Sequence, residues 1–231
     1  MSRVTSWLDN FWYHYKWHFL AGLFIVVFLI VAIGQMAKKE KVDAYIMYAG
    51  PTAFSAKEIY DIQDTFCEIM PDLNGDGKKK VEFIDITVLT DSQIEYNRKK
   101  AEEDGVEYKP DMQYISQMRQ KFKLQLAAGD AYLLLLDPQM YEEDYGIGMY
   151  CKLEDIGIQS EYANDDSSII FRQTDYGKYY SVFKKLPEDT LICFKILNIT
   201  GELRGSKEQK KFDDQLVLMK KIVEFKSTSA E

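Results

Sequence analysis

Residues 131–136 read A-Y-L-L-L-L, a continuous apolar run of strand length. Such a run suits a strand that is buried on both faces, because successive side chains of a strand point to opposite faces of the sheet. Residues 42–49, V-D-A-Y-I-M-Y-A, are similarly short and contain several β-forming side chains. Residues 79–89 contain V-E-F-I-D-I-T-V-L, which is rich in β-branched residues. All three segments are predicted to be strands.

Two helices are predicted between these strands. The first begins at the capping box Ser55–Glu58 and runs to about Met70, with apolar residues at positions 59, 62, 66 and 69. The second follows Pro110 and ends near Gly129, with apolar residues at 112, 115, 118, 122 and 126. Alternating strands and helices give right-handed crossovers. We therefore predict an α/β domain over residues 42–225, in three layers, with a mainly parallel sheet flanked by helices.

The sequence indicates the secondary structure of the remainder of the domain less strongly. Residues 168–171 and 190–197 are predicted strands, and 176–178 is predicted to be a turn. A last helix is expected from a capping box at Ser206–Gln209, with its apolar face at Phe212, Leu216, Met219 and Val223. The polar segment 91–111 is expected to be a connection, and the tail 226–231 is expected to be disordered.

Residues 19–37 form an apolar run with no charge and a single polar side chain, Gln35. At 1.5 Å per residue the run makes roughly 28 Å of helix, which is close to the hydrocarbon thickness of a bilayer. We predict a transmembrane helix. A cleaved signal peptide is the alternative, since 32–34 and 35–37 loosely resemble cleavage sites, but the run is longer than the apolar region of a typical signal peptide.

Residues 1–18 contain every tryptophan of the chain, Trp7, Trp12 and Trp17. Indole rings are most stable at the depth of the lipid headgroups, so these residues are predicted to form a membrane interface and to contact lipid. Trp7, Phe11 and Tyr15 recur every four residues, which favours a short helix along the membrane surface.

The positive charges around the span do not decide its orientation. Arg3 and Lys16 precede it, and Lys38, Lys39 and Lys41 follow it, so the two sides are nearly balanced.

Charge and cysteine content exclude two classes of protein. The formal net charge is −8, and no long basic block follows the span, so a nucleic acid is not an expected partner. Cys67, Cys151 and Cys193 are widely spaced, which predicts neither a zinc site nor a disulfide framework. Buried thiols are expected, and a single disulfide is the alternative.

The predicted domain contains no histidine, because His14 and His18 both precede the span. This rules out Ser/His/Asp and Cys/His catalysis and histidine zinc sites in the domain. Carboxylates such as Glu142 and Glu143 remain the alternative for acid/base chemistry. His14 and His18 lie four residues apart, so a metal or haem between them is a further alternative to a polar role in the interface. We predict that the protein is not an enzyme.

One segment resembles part of a calcium loop. Residues 72–77, D-L-N-G-D-G, fit the first half of the pattern, with Asp72, Asn74 and Asp76 as ligands. The twelfth position should be a bidentate glutamate but is Phe83, and Glu82 lies one place away. Calcium is therefore the one candidate cofactor, and a plain helix-to-strand turn is the alternative.

The carboxyl ends of the predicted parallel strands indicate where binding occurs. Ligands of such sheets lie beyond these ends, where helix N-termini present free N–H groups. The loops there run from Gly50 to Ser55 and from Asp137 to Tyr141. The candidate binding residues are Gly50, Pro51, Phe54, Ser55, Asp137 and Tyr141. Phe54 would offer an aromatic face and Ser55 would cap a helix, whereas the alternative is that both segments are ordinary connections.

Two short motifs carry a resemblance to known proteins. L-A-A-G-D-A at 126–131, before a hydrophobic strand, and Gly148–Leu153, followed by L-E-D-I at 153–156, resemble the N-terminal lobe of extracellular solute-binding proteins. F-W-Y-H-Y-K-W-H at 11–18, then a span and Y-I-M-Y-A-G-P, resembles uncharacterised single-pass membrane proteins of Gram-positive bacteria. The lobe resemblance covers 42–156 and implies an extracytoplasmic domain. Complete solute-binding proteins have two lobes with the ligand between them.

These observations predict a membrane-anchored protein with an extracytoplasmic, solute-binding-like domain that is not an enzyme. Its expected partner is a small-molecule solute or another membrane protein. The alternative is a structural or accessory subunit of an envelope or transporter assembly.

Overall fold

The computed structural model describes residues 3–38, 41–197 and 205–227; in the first of these ranges it describes side chains from Trp12 to Val31. The chain forms two compact units, Met1–Lys41 and Val42–Glu231.

The first unit is one long apolar helix. Helix α1 (Arg3–Lys38) contains 36 residues, which corresponds to about 54 Å at 1.5 Å per residue. Within it, Trp12–Val31 is long and apolar enough to cross a membrane, although a signal sequence near an N-terminus meets the same criteria. The helix continues without a break through the expected boundary between residues 18 and 19. Trp12 and Trp17 are exposed on it, and the side chain of Trp7 lies outside the described residues.

The second unit contains a five-stranded sheet with helices on both faces. Its strands are β1 (Ala44–Gly50), β2 (Val81–Thr87), β3 (Leu133–Leu136), β4 (Ser168–Ile170) and β5 (Leu191–Phe194). Its described helices are α2 (Ala56–Ile69), α3 (Asp91–Glu103), α4 (Met112–Ala128), α5 (Pro138–Tyr145), α6 (Asp175–Tyr179) and α7 (Ser206–Val223). Short 3-10 helices occupy Phe171–Gln173 and Ser181–Lys185. The α/β class predicted from the sequence is confirmed.

The sheet is mixed, which corrects the expectation of a mainly parallel one. The strand order is β2-β1-β3-β5-β4. β1 pairs in parallel with β2 and β3, whereas β5 runs antiparallel to both β3 and β4. A parallel β4–β5 pair would need a crossover that returns the chain to the starting edge of the sheet. The helices between these two strands have only three to five residues each, so the chain turns back instead.

Side chains of the central strands alternate between two cores. Ile46 and Tyr48 of β1 pack with α2, α6 and α7 in the first core. Met47 and Ala49 pack with α3, α4 and α5 in the second core. All residues of Leu133–Leu136 are fully buried, two on each side, as the run of leucines predicts.

Three local predictions are wrong. The segment 91–111 was expected to be a connection but contains α3. This helix buries a single residue, Ile94, so its sequence shows no apolar periodicity. The expected turn at 176–178 lies inside α6, where Tyr176 is fully buried. Helix α7 forms as expected, but its N-cap is Gly205 at φ 72°, without a side-chain cap, because Ser206 is already helical. The end of the tail, residues 228–231, lies outside the described residues.

Candidate functional site

The carboxyl ends of β1, β2 and β3 meet at one edge of the sheet. The Asp137 N–H donates to the Ala49 carbonyl at 2.9 Å, and the Val88 N–H donates to the Gly50 carbonyl at 2.8 Å. A helix begins just beyond each strand, capped by Ser55, Thr90 and Asp137 respectively. The loops after these three strands thus leave the same edge of the sheet.

The six predicted binding residues lie on two sides of this edge. Phe54 packs with the first core, whereas Tyr141 belongs to the second. Gly50 ends β1, and Asp137 follows the neighbouring strand β3. The sheet therefore separates Phe54 from Tyr141.

The loop after β1 is closed by its own contacts. The Thr52 N–H donates to the Tyr48 hydroxyl at 3.0 Å, and a Cβ at Gly50 would lie 2.5 Å from that oxygen, so a glycine is needed there. The Phe54 ring packs edge-on against Tyr48 and Phe83, with centroids 5.3 and 5.9 Å away. Phe54 is therefore half-buried and offers little of the free aromatic face expected from the sequence.

The N-terminus of α2 is also occupied. Ser55 and Glu58 form the predicted capping box, with the Ser55 N–H donating to the Glu58 carboxylate at 2.7 Å. Lys185 donates to both oxygens of Glu58 at 2.8 Å, and its ammonium lies 5.5 Å from the centre of the Phe54 ring. The Lys185 bond, followed by the Ser55 bonds, lowers the pKa of Glu58 to about 2. The N-terminus of α2, which was expected to bind a ligand, is thus occupied by Glu58 and Lys185 of the chain itself.

A cleft lies at the same edge of the sheet, on the side that carries Tyr141. It is bounded by α3, α5 and the segment that precedes β5. We call it the carboxyl-edge cleft, and it has two adjoining lobes that share Pro138, Glu142 and Asp189. The amide lobe, about 530 Å³, is lined by Ser92, Gln93, Tyr96, Asp137, Pro138, Gln139, Glu142 and Asp189. The tyrosine lobe, about 400 Å³, is lined by Pro138, Tyr141, Glu142, Tyr145, Asn164, Asp165, Ile170, Asp189 and Leu191. Volumes of this size fit a small molecule.

Asp137 organises the amide lobe. Its carboxylate accepts the Gln139 N–H at 2.9 Å, which caps α5, and the Gln93 side-chain amide at 2.6 Å, which ties α3 to α5. Asp137 is only 7% exposed. Burial raises the pKa of its carboxyl group, and the nearby charge of Asp189 raises that pKa further. The Asp137 carboxylate thus lies at the N-terminus of α5, where free N–H groups were expected to bind a ligand.

Tyr141 forms the wall of the tyrosine lobe. Its hydroxyl donates to Asp165 at 3.0 Å, and its ring stacks on Tyr150 with centroids 4.7 Å apart. Asp165 also accepts the Ser167 N–H at 2.9 Å and the Ser168 hydroxyl at 2.8 Å. Burial raises the pKa of Tyr141, so its hydroxyl remains a neutral donor. These hydrogen bonds hold the Asp165 carboxylate against the wall.

The lining of the cleft is negatively charged. It contains four carboxylates, Asp137, Glu142, Asp165 and Asp189, and neither lysine nor arginine. Tyr96 and Tyr145 add exposed aromatic rings, at 66% and 41% exposure. Carboxylates and ring faces both attract cations, so this surface suits a cationic ligand better than the anionic one that a helix N-terminus would favour.

The predicted calcium loop is held by its own backbone. Asp72 accepts the N–H groups of Gly75 and Gly77 at 2.7 and 2.8 Å, and these bonds lower the pKa of its carboxyl group. Asn74 accepts the Asp76 N–H at 2.9 Å, as a turn-forming side chain does. Among the described residues, no three His, Cys, Asp or Glu side chains gather as a metal site. Asp72, Asn74 and Asp76 as calcium ligands stay a prediction.

The motif around Gly129 lies at the opposite, amino edge of the sheet, where it holds the C-terminal helix. The Gly129 carbonyl accepts the buried Lys195 ammonium at 3.1 Å, and Asp130 forms an ion pair with Lys211. The Gln215 side chain donates to the Asp130 carbonyl at 2.8 Å. In the described structure these contacts have a packing role, away from the cleft.

Sequence reasoning missed the polar lining of the amide lobe. Ser92 and Gln93 belong to α3, which carries no apolar periodicity, and Asp189 lies in the short connection before β5. The Thr90–Gln93 capping box was the one available signal, because its spacing marks the start of a helix at this edge.

Comparisons of the chain with protein-family models, with curated proteins and with solved structures found no match.

Proposed function

We propose that the protein is a membrane-anchored binding protein that is not an enzyme, with α1 as the anchor and the α/β unit as a domain for a small cationic solute. The carboxyl-edge cleft carries this proposal. Its two lobes are lined by four carboxylates and expose the rings of Tyr96 and Tyr145, with neither lysine nor arginine in the lining. A ligand with two or more amino groups would pair with carboxylates in both lobes.

The charges of the cleft give the physical reason for a cationic ligand. Burial raises the pKa of the Asp137 carboxyl group, and repulsion by the charge of Asp189 raises it further. A bound ammonium would relieve this repulsion, because opposite charges a few ångströms apart attract strongly where protein displaces water. Tyr96 and Tyr145 would add cation–π contacts. An anionic solute would be repelled by the same carboxylates.

The extracytoplasmic location is part of the proposal and rests on the lobe resemblance. Full-length protein should remain with membranes in alkaline carbonate, and protease added to intact cells should digest the domain. Extraction by carbonate would contradict the anchor, and full protection from protease would place the domain on the inner side.

A thermal-shift measurement tests solute binding. Full-length protein in detergent should melt at a higher temperature with spermidine or arginine amide, because a ligand that binds only the folded state stabilises it by mass action. Citrate should give no shift. The variant Glu142→Gln/Asp189→Asn should lose most of the spermidine shift, whereas Glu102→Gln/Glu103→Gln, on the exposed end of α3, should keep it. Equal shifts in all three proteins would contradict the proposal.

The second candidate function is an accessory subunit of a membrane assembly. Helix α1 favours it, since about 54 Å of helix exceeds the roughly 30 Å of a bilayer core and leaves aromatic turns for contact with a partner helix. A photo-crosslinker at Trp12 should then give one discrete adduct in cell membranes. Lipid adducts alone would leave the binding function as the better account.

A further inference from the structure

The four carboxylates of the carboxyl-edge cleft are not equally available to a ligand. Asp137 and Asp165 each accept hydrogen bonds from other groups of the chain. Glu142 and Asp189 are exposed, and within the described part of the chain they form neither a hydrogen bond nor an ion pair. Both line each of the two lobes, so they lie where the lobes join. The positive charge of a ligand is therefore expected at this lobe junction.

The amide lobe offers a hydrogen-bond donor. The Ser92 hydroxyl donates to the Gln139 side-chain oxygen at 2.9 Å, which sets this amide with its oxygen toward Ser92. The amide nitrogen, Nε2, has no hydrogen-bond partner among the residues that the structure describes. Gln139 lines the amide lobe only. Its amide nitrogen can donate to a carbonyl oxygen of a ligand.

The tyrosine lobe has an apolar wall. Ile170 and Leu191 line it together with Tyr141 and Tyr145, whose ring centroids lie 5.4 Å apart. The Tyr145 hydroxyl donates to Asp166 at 2.9 Å, which holds the ring, and 41% of Tyr145 remains exposed. A lobe of about 400 Å³ with aliphatic and aromatic lining suits an apolar side chain.

Helix α5 presents these three kinds of group in a row. Gln139, Glu142 and Tyr145 recur every three residues, so each lies within one turn of the next, about 4.5 Å further along the helix axis. Their order is amide donor, carboxylate, aromatic ring. In an α-amino amide the ammonium group lies between a carbonyl oxygen and the side chain. Such a molecule therefore carries the complementary groups in the same order.

We propose that the solute of this cleft is an α-amino amide with an apolar side chain, which is the chemistry of an amino-acid amide and of the N-terminus of a short peptide. Its ammonium pairs with Glu142 and Asp189, its carbonyl oxygen accepts from Gln139, and its side chain packs against Tyr145. A free amino acid binds less well, because its carboxylate is repelled by the carboxylates of the cleft. The inference rests on the cationic ligand of the proposed function and names its class.

Calorimetry of the full-length protein in detergent, with a set of matched ligands, tests this class. Phenylalaninamide should bind about tenfold or more tightly than glycinamide, which lacks the apolar side chain, and than N-acetylphenylalaninamide, which lacks the charge. Free phenylalanine should bind as weakly as glycinamide or more weakly. Tighter binding of phenylalanyl-alanyl-alaninamide than of phenylalaninamide would identify a peptide as the source of the amide, and weaker binding an amino-acid amide.

The same titrations separate this inference from the proposed function. If spermidine binds but phenylalaninamide binds no more tightly than glycinamide, the α-amino amide is overturned and the cationic cleft stands. Absence of binding by both spermidine and phenylalaninamide would overturn both. Glu142→Gln/Asp189→Asn, which should bind neither ligand, measures any heat from partition into the detergent.

A variant of Gln139 tests the contact with the carbonyl oxygen. Gln139→Met removes the donor, so it should weaken phenylalaninamide by about fivefold but leave phenethylamine, which has no carbonyl group, unchanged. The control Gln113→Met, on the exposed side of α4, should bind both ligands as wild type does. An equal effect of Gln139→Met on phenylalaninamide and phenethylamine would overturn the proposal.

Discussion

At the residue scale, Asp137 combines two roles that substitutions can separate. Asparagine should keep the α5 cap, because its side-chain oxygen can accept the Gln139 N–H, but it removes the charge and sets its own amide group against the Gln93 amide, so the bond to Gln93 is lost. Alanine removes the cap, the charge and the bond to Gln93. We expect Asp137→Ala to lower the free energy of unfolding by about 1 kcal/mol or more, and Asp137→Asn to lower it by less at pH 7. Urea unfolding of both variants measures the difference.

The pH dependence of Asp137 provides a second prediction. Its folded pKa is raised above the unfolded value of about 3.9, so the folded state binds the proton more tightly. The free energy of unfolding should therefore fall as pH rises from the unfolded pKa to the folded one. Asp137→Asn should lack this component when both proteins are unfolded by urea across that range. Parallel curves would mean that the carboxyl group titrates normally.

Glu58 should behave in the opposite way. Its folded pKa is lowered to about 2 by Lys185 and Ser55, so its contribution to stability is present above the unfolded value of about 4.3. This contribution should be lost as pH falls toward 2. Wild type and Glu58→Gln should therefore differ in unfolding free energy at pH 7 and converge in acid. A constant difference would show that the ion pair does not set the pKa.

At the element scale, the loop after β1 is predicted to act in packing. Phe54→Ala should lower the free energy of unfolding by roughly 1 to 3 kcal/mol, because the half-buried ring contacts Tyr48 and Phe83. The sequence expectation that the ring offers a binding surface stays a prediction. Tyr60→Ala, on the exposed face of α2, is the matched control and should change stability little. A melting temperature for Phe54→Ala equal to that of Tyr60→Ala would reopen the binding role.

Helix α7 depends on a buried amide. Gln215 is 1% exposed, accepts the Tyr132 N–H at 2.7 Å and donates to the Asp130 carbonyl at 2.8 Å. Gln215→Ala would leave both backbone groups without their partner, at a cost of about 2 to 4 kcal/mol. Gln209→Ala, exposed near the start of the same helix, should cost much less. Chemical unfolding of the two variants tests whether this network holds α7 on the sheet.

The elements that could be predicted are those with an apolar pattern. β1, β2, β3, α2 and α4 follow from leucine runs, β-branched residues and helical spacing, because burial imposes those patterns. Helix α3 buries only Ile94, and α6 is five residues long, so neither leaves a periodic signal. The direction of β5 depends on connection geometry between elements, which local sequence does not encode.

At the scale of the whole molecule, the sequence predicts the carboxyl edge of the sheet but only part of the cleft that lies there. The carboxyl edge follows from strand order, and two of the six expected residues, Asp137 and Tyr141, line the cleft. The remaining lining comes from α3, from Asn164 and Asp165, and from Asp189. These residues are distant in the sequence and meet only because β5 inserts beside β3. The negative charge of the cleft is therefore a property of the fold.

Calorimetric titration of full-length protein with spermidine measures binding in the carboxyl-edge cleft. We expect a saturable heat for wild type that weakens at high salt, since pairing of exposed charges is screened. Glu142→Gln/Asp189→Asn should reduce the affinity by about tenfold or more, which corresponds to about 1.4 kcal/mol. The control Glu102→Gln/Glu103→Gln should bind as wild type does. No heat with wild type, or the same affinity in Glu142→Gln/Asp189→Asn, would contradict a cationic ligand in the carboxyl-edge cleft.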